Sequence, residues 1–289
     1  MKKKILWAFL AMGAGCAILL NACSEKDILT EDSSLLTSAA DESQMASISD
    51  DVVNTTEQYI TALSLTGYKS SSPPLKATTA STVSSISVIV DKPDSTNFPK
   101  VVTINFGTTG FTGQRGNTYT GILIVTINNK LSVVDASYTI RSNNFYVNGN
   151  KVGFLKTVTY TGTDANNYPS WSIVTNDTIV RANNTTVTCH SERTREQIDN
   201  NQTPNIPWDD TFAIRGTADG TNSKGNTYQM AIDSNNPLIV TGSCPYIEKG
   251  SAVITVGTKA VVIDYGNGTC DDTATATANS ITKTFTLSN

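Results

Sequence analysis

A single histidine in 289 residues removes whole classes of chemistry. Hydrolytic zinc sites built from two or three imidazoles cannot be assembled within one copy of this chain. Charge is scarce too: Asp, Glu, Lys and Arg make up only 16% of residues, and the balance is −4. Binding to a polyanion such as nucleic acid needs clustered Lys and Arg to displace counterions, so a nucleic-acid partner is excluded. Helix formers such as Glu, Leu and Lys are thin, whereas Thr, Asn and Ser are abundant, a balance that favours strands and turns. The length suits one large core or two ordinary ones.

The N-terminus carries the most specific signal. Lys2 to Lys4 form a positive cluster, Ile5 to Leu20 is apolar, and the small residue Ala22 precedes Cys23. This is the layout of a secretory signal rather than of a membrane span. Leu20-Asn21-Ala22-Cys23 resembles the bacterial lipobox, whose cysteine receives a diacylglyceryl group and becomes the first residue of the mature chain. The resemblance implies a signal peptide over 1–22 and a lipid anchor at Cys23, where two or more acyl chains such as palmitate hold a protein stably on a bilayer. The next four residues, Ser24-Glu25-Lys26-Asp27, resemble the surface-export tag of Bacteroidetes lipoproteins. That implies outer-membrane attachment with display at the cell surface, the periplasmic face being the second choice.

Residues 23–83 read as the acylated N-terminus, a flexible tether and one short helix. Glu31 to Ala46 is rich in Ser, Ala and acid and has little apolar surface, which predicts the tether. Met45, Ile48, Val52, Tyr59, Ile60 and Leu63 recur mostly at three- and four-residue intervals, which predicts a helix packed on the following domain, with Ser49 or Asp50 capping its start. "KSSSPPLKATTAS" predicts a semi-extended linker.

From about residue 84 to 289 the pattern becomes period-two runs bounded by Asn, Gly, Asp and Pro, among them "SISVIV", "KVVTINFG", "GILIVTI", "NFYVNG", "AIRGTA" and "KTFTL". Short alternating strands at this spacing predict an all-β body, an antiparallel β-sandwich-like arrangement. The segment 84–127 also resembles 250–287, and a weaker likeness joins the stretch from Phe145 to that from Phe212. This internal repeat suggests two similar halves, about 84–195 and 205–289, covering each other's apolar faces. A body of this kind is expected to fold without the residues that precede it.

Several residues are candidates for a site. Cys189, Cys244 and Cys270 remain beside the acylated Cys23, and an exported chain can form disulfides. Cys244 with Cys270 is the favoured pairing, with all three free as the alternative. Cys189 and His190 are adjacent on a predicted strand and so point to opposite faces, which rules out a Cys-His nucleophile between them. The same alternation places Thr188, His190, Glu192 and Thr194 on one polar face.

"DYGNGTCDD", with Asp264, Asn267, Asp271 and Asp272, and "ADGTNSKGN", with Asp219 and Asn222, are rich in oxygen ligands. Neither has the spacing of a calcium loop, and no metal or cofactor is expected. Tyr168, Trp171 and Trp208 flank prolines, where they would either stack on a flat ligand such as a sugar or plug the core at strand ends. Ser95, Thr178 and Thr273 follow aspartates in triplets that resemble the O-glycosylation sequon of Bacteroidetes exported proteins. The leading expectation is a non-enzymatic surface lipoprotein that binds a glycan or protein or serves as a structural element of the envelope. Its rival is a secreted hydrolase using Asp264 with Asp271 or Asp272.

Overall fold

A computed structural model describes residues 33–65, 86–92, 96–199 and 210–287. It opens with one helix, α1 (Ser33–Leu65), of 33 residues. At 1.5 Å rise per residue this helix is about 50 Å long. No proline or glycine interrupts it, so it runs on unbroken. Its many Ser, Thr, Val and Asn residues are nevertheless poor helix formers, and an isolated peptide of this composition would be marginal. The surroundings must hold it, and they do: Leu35, Ala39, Met45, Ile48, Val52, Val53, Tyr59, Ile60 and Leu63 are buried, and so are Ser38, Asp41, Glu42, Ser47, Asp51, Asn54, Thr55 and Thr56 on its other faces.

The strands are β1 (Ser87–Val90), β2 (Lys100–Asn105), β3 (Phe111–Thr112), β4 (Thr118–Ile127), β5 (Ser137–Val147), β6 (Asn150–Thr163), β7 (Pro169–Val180) and β8 (Thr186–Asp199), then β9 (Thr211–Thr221), β10 (Thr227–Ile232), β11 (Leu238–Thr241), β12 (Lys249–Val256), β13 (Lys259–Asn267), β14 (Thr273–Ala278) and β15 (Ile281–Thr286). The body is therefore all-β and antiparallel, as the alternation predicts. Its strands form one sheet in sequence order, β1-β2-β4-β5-β6-β7-β8-β9-β10-β12-β13-β14-β15, with β3 beside β4, and β11 beside both β9 and β12.

Alternation fixes which residues face inward. Along β8, Val187, Cys189, Ser191, Arg195 and Gln197 are buried while Thr186, Glu192 and Thr194 are exposed. The meander turns tightly at Asn148-Gly149, where both residues take positive φ (50° and 79°), the conformation of a two-residue hairpin. Gly121, at φ 90°, sits where the β4–β5 register shifts. A Cβ there would lie 1.9 Å from the Asn144 carbonyl oxygen, so only glycine lets the strands approach.

The sheet curls about α1. Side chains from β4, β5, β6, β8, β10 and β13 each hydrogen-bond to helix residues: Tyr119, Tyr138, Lys156, Arg193 with Arg195, Tyr228, and Tyr265. The helix is thus the filling of the layered body.

Three expectations change. Residues 33–46 are not a tether; they form the first turns of α1, because the sheet supplies the burial that their own composition lacks. The helix is long rather than short, so Ser49 and Asp50 lie inside it instead of capping it. The repeat holds in part: β1–β2 and β12–β13 are matching hairpins, but β14 separates β13 from β15, whereas β2 pairs directly with β4. The two ends lie at opposite ends of the strand order, and α1 covers the inner face.

Candidate functional site

Every charged residue of α1 is acidic: Asp41, Glu42, Asp50, Asp51 and Glu57. The strands answer with bases. Arg181, just after β7, donates to Asp41 at 2.6 Å and to Gln44 at 2.7 Å. Arg193 donates to Glu42, and Arg195 to Glu57 at 2.6 Å and Asn54 at 3.2 Å. Arg115 lies 3.8 Å from Asp50 and is fixed by the carbonyls of Thr241 and Gly242. Among the described residues Asp51 has no cation; it accepts from the Tyr119 hydroxyl and from the Asn117 amide at 2.7 Å.

Glu42, fully buried, is the most heavily engaged of these acids. It accepts from Arg193, from the Tyr228 hydroxyl at 2.6 Å and from the Cys189 thiol at 3.5 Å. Burial pushes Tyr228 and Cys189 well above their ordinary values, and the charge of Glu42 adds to both shifts. Burial by itself lowers the Arg193 value, but the Glu42 carboxylate outweighs it and the net shift is upward. Glu57 does the same for Arg195. Tyr119 and Tyr138 are raised by burial and then by the carboxylates they face, Asp51 and Glu57.

Arg195 shows how completely a charge is absorbed here. Its side chain is 1% exposed, and its guanidinium carbon lies 4.7 Å from the Trp171 ring centre and 4.6 Å from that of Phe212. The cation sits in the corner between these two edge-packed rings, whose own centres are 6.2 Å apart, while Glu57 neutralises it. A second internal pair joins Lys156 to Asp177 at 3.1 Å, with Thr175 and Ser49 completing the ammonium's bonds. Such pairs cost desolvation and contribute mainly register and uniqueness, because any slip of the helix would leave several charges buried without partners.

The residues singled out from the sequence are dispersed. Trp171 is half-buried and packs against Tyr160, Phe212 and Arg195, so it plugs the core rather than offering a face to a ligand. Tyr168, half-buried, closes the turn begun by Asp164 through its backbone amide and carbonyl. Cys244 and Cys270 form a disulfide, and Cys189 is a buried free thiol. His190 sits on the outer face of β8 with Thr188, Glu192 and Thr194, beside Asn176. Asp264 and Asp271 accept from backbone amides two residues on, Gly266 and Thr273, as turn formers; the bonds from Thr273 hold Asp271 below its usual range. Asn222 closes its own hairpin and reaches α1 at Ser38. Thr178 is half-buried in mid-sheet, and Thr273 is exposed. Cys23, Ser24 to Asp27, Ser95 and Trp208 lie outside the described residues.

The bases lining the sheet were the residues missed. One signal was present: "SERTRE" places Arg193 and Arg195 two apart on a strand, hence on one face, and that face is shared with buried Cys189. Between α1 and β9–β11 a cavity of about 20 Å³ is lined by Ser47, Asp50, Arg115, Arg193, Val240 and Tyr246 among others, room for about one water. Among the described residues no helix is long and apolar enough to cross a membrane. The chain matches no protein family, no curated protein and no solved structure.

Proposed function

We propose that this chain is a non-enzymatic lipoprotein of the outer membrane, anchored through a lipid on Cys23 and displayed at the cell surface, where its β body binds a glycan or protein or acts as a structural element of the envelope. The observation that carries this reading is the acidic helix locked inside a base-lined sheet directly after the anchor segment. From Cys23 to Ser33 the chain advances only ten residues, a reach of roughly 35 Å at full extension. The lipid and the packed body are therefore held close together, as suits a membrane-proximal module rather than a domain on a long leash. Asp264 and Asp271 are engaged in forming turns, which favours binding or support over catalysis.

Metabolic labelling with an alkyne fatty acid tests the anchor: the wild type takes the label and Cys23→Ala does not, and equal labelling of both refutes it. Replacing Ser24 to Asp27 by alanines leaves the protein on the membrane but removes its access to external protease. A glycan and peptide array run beside a broad hydrolase panel tests the rest, since turnover of any substrate overturns the non-enzymatic reading.

A further inference from the structure

One oxygen of a buried acid has no answering donor among the described residues. Glu248 is 8% exposed, and among the described residues its Oε2 has no hydrogen-bond partner. Its backbone is pinned on both sides, the amide donating to the Ile239 carbonyl at 2.9 Å and the carbonyl accepting from Gly268 at 2.8 Å. This fixes the carboxylate between the β11–β12 loop, which carries Cys244, and the β13–β14 loop, which carries Cys270. The two sulfurs and a Glu248 carboxylate oxygen all lie within 4.8 Å of one another. While the sulfurs are bonded to each other they have little to offer the carboxylate. A buried carboxylate oxygen without a donor is costly, so the arrangement calls for a cation in another state of the same residues.

We infer that reduction of the Cys244–Cys270 disulfide turns this cluster into a site for a soft divalent metal ion such as Zn²⁺, with two thiolates and the Glu248 carboxylate as protein ligands. The electrons balance through an external dithiol: it gives up two electrons and two protons and closes to its own disulfide, while Cys244 and Cys270 become thiols. Metal binding then releases both thiol protons, leaving two thiolates and one carboxylate around the ion. Ligand atoms about a tetrahedral Zn²⁺ stand about 3.8 Å or less from one another, inside the span already present; only the sulfurs need to separate. Cys270 supplies that movement: it is exposed and lies two residues beyond Gly268, whose amide stays bound to the Glu248 carbonyl and around which the space is open. Cys244 and Glu248 are buried and stay in place. Water on the Cys270 side completes the fourth position.

The test uses the mature chain, reduced with a phosphine that leaves no competing thiol, with Co²⁺ and then Zn²⁺ as probes. The reduced protein is expected to retain its β circular dichroism spectrum, bind one Co²⁺ with thiolate-to-metal absorption in the near ultraviolet, exchange it for Zn²⁺, and release two protons per ion. The oxidised protein gives no such band. Glu248→Gln weakens the affinity of the reduced protein about tenfold or more. Cys189→Ser, which removes the remaining buried thiol, leaves it unchanged. Equal metal binding by oxidised and reduced protein, no effect of Glu248→Gln, or collapse of the β spectrum on reduction each overturns the inference.

Discussion

Glu42→Ala is the most searching single perturbation of the helix–sheet seam. It strips Arg193, Tyr228 and Cys189 of their common acceptor while the sheet still holds all three inside. Breaking a buried ion pair by removing one partner costs about 3–5 kcal/mol, since the abandoned charge stays in a poorly solvated place. The Tyr228 hydroxyl loses its acceptor as well, but the two losses overlap, so we expect about 4 kcal/mol in all. In urea at pH 7, with a slope near 3 kcal/mol/M, the midpoint should fall by about 1.3 M with the slope unchanged. Glu42→Gln keeps the shape and one acceptor and should lose about half as much. The decisive measurement is the cycle with Arg193→Met: because removing both charges leaves neither stranded, the double variant should be more stable than the sum of the single losses predicts by about 2 kcal/mol. A loss below about 1 kcal/mol for Glu42→Ala, or strict additivity in the cycle, refutes the claim that the helix is seated by these charges.

Alkaline titration provides an independent check. Tyr59, Tyr119, Tyr138 and Tyr228 are raised by burial, and Tyr265 is pushed up to about 12 by the same cause. A phenol whose folded value is raised contributes stability that is fully present below its unfolded value near 10 and is lost as pH climbs toward the folded value. Absorbance near 295 nm should therefore show half of the ten tyrosines ionising only together with loss of the β spectrum above about pH 11; smooth ionisation of all ten with the fold intact would contradict the burial. Truncation is the second check. Contrary to the expectation from the strand pattern that residues 84–289 fold by themselves, that chain should aggregate or melt broadly, because without α1 it exposes an apolar face studded with Arg115, Lys156, Arg193 and Arg195, and a synthetic 33–65 peptide added during refolding should restore a sharp transition. A sharp melt without the peptide would show that the sheet closes on itself.

The strands were legible because their signal is local. Alternation in "KVVTINFG", "GILIVTI" and "KAVVIDYG" requires only that one face be wet and the other dry, and Asn and Gly mark the turns whichever partner the sheet finds. The extent of α1 was not legible from 33–46, because there the apolar content is low and the polar residues are the ones that face bases. Inside a sheet this helix needs its charged groups matched as well as its apolar residues covered, and the match lies more than a hundred residues away in sequence, as for Glu42 with Arg193 and Asp41 with Arg181. The periodicity of Met45 to Leu63 identified the helix's apolar contacts correctly but carried no hint that its opposite side was buried as well.

The same asymmetry explains the fate of the site candidates. Turn carboxylates, Pro-flanked aromatics and an exposed histidine drew attention because they stand out against a Thr- and Asn-rich background, yet Asp264, Asp271 and Tyr168 close turns and Trp171 braces an arginine. The charges with structural consequence were hidden in plain alternation, Arg193 and Arg195 on the strand face shared with Cys189. A helix whose charges are all acidic, facing a sheet face whose charges are mostly basic, can be seated in few registers, since a shift by one turn of about 5.4 Å would set Glu42, Asp51 and Glu57 beside the wrong donors. Placing that specificity in the seam leaves the outer face of the sheet, with His190, Glu192 and the exposed threonines, free to vary. Variation tolerated on that outer face and strict pairing within the seam is the pattern that saturation mutagenesis with a folding readout should return, and tolerance of charge reversal at Glu42 or Arg195 would break the argument.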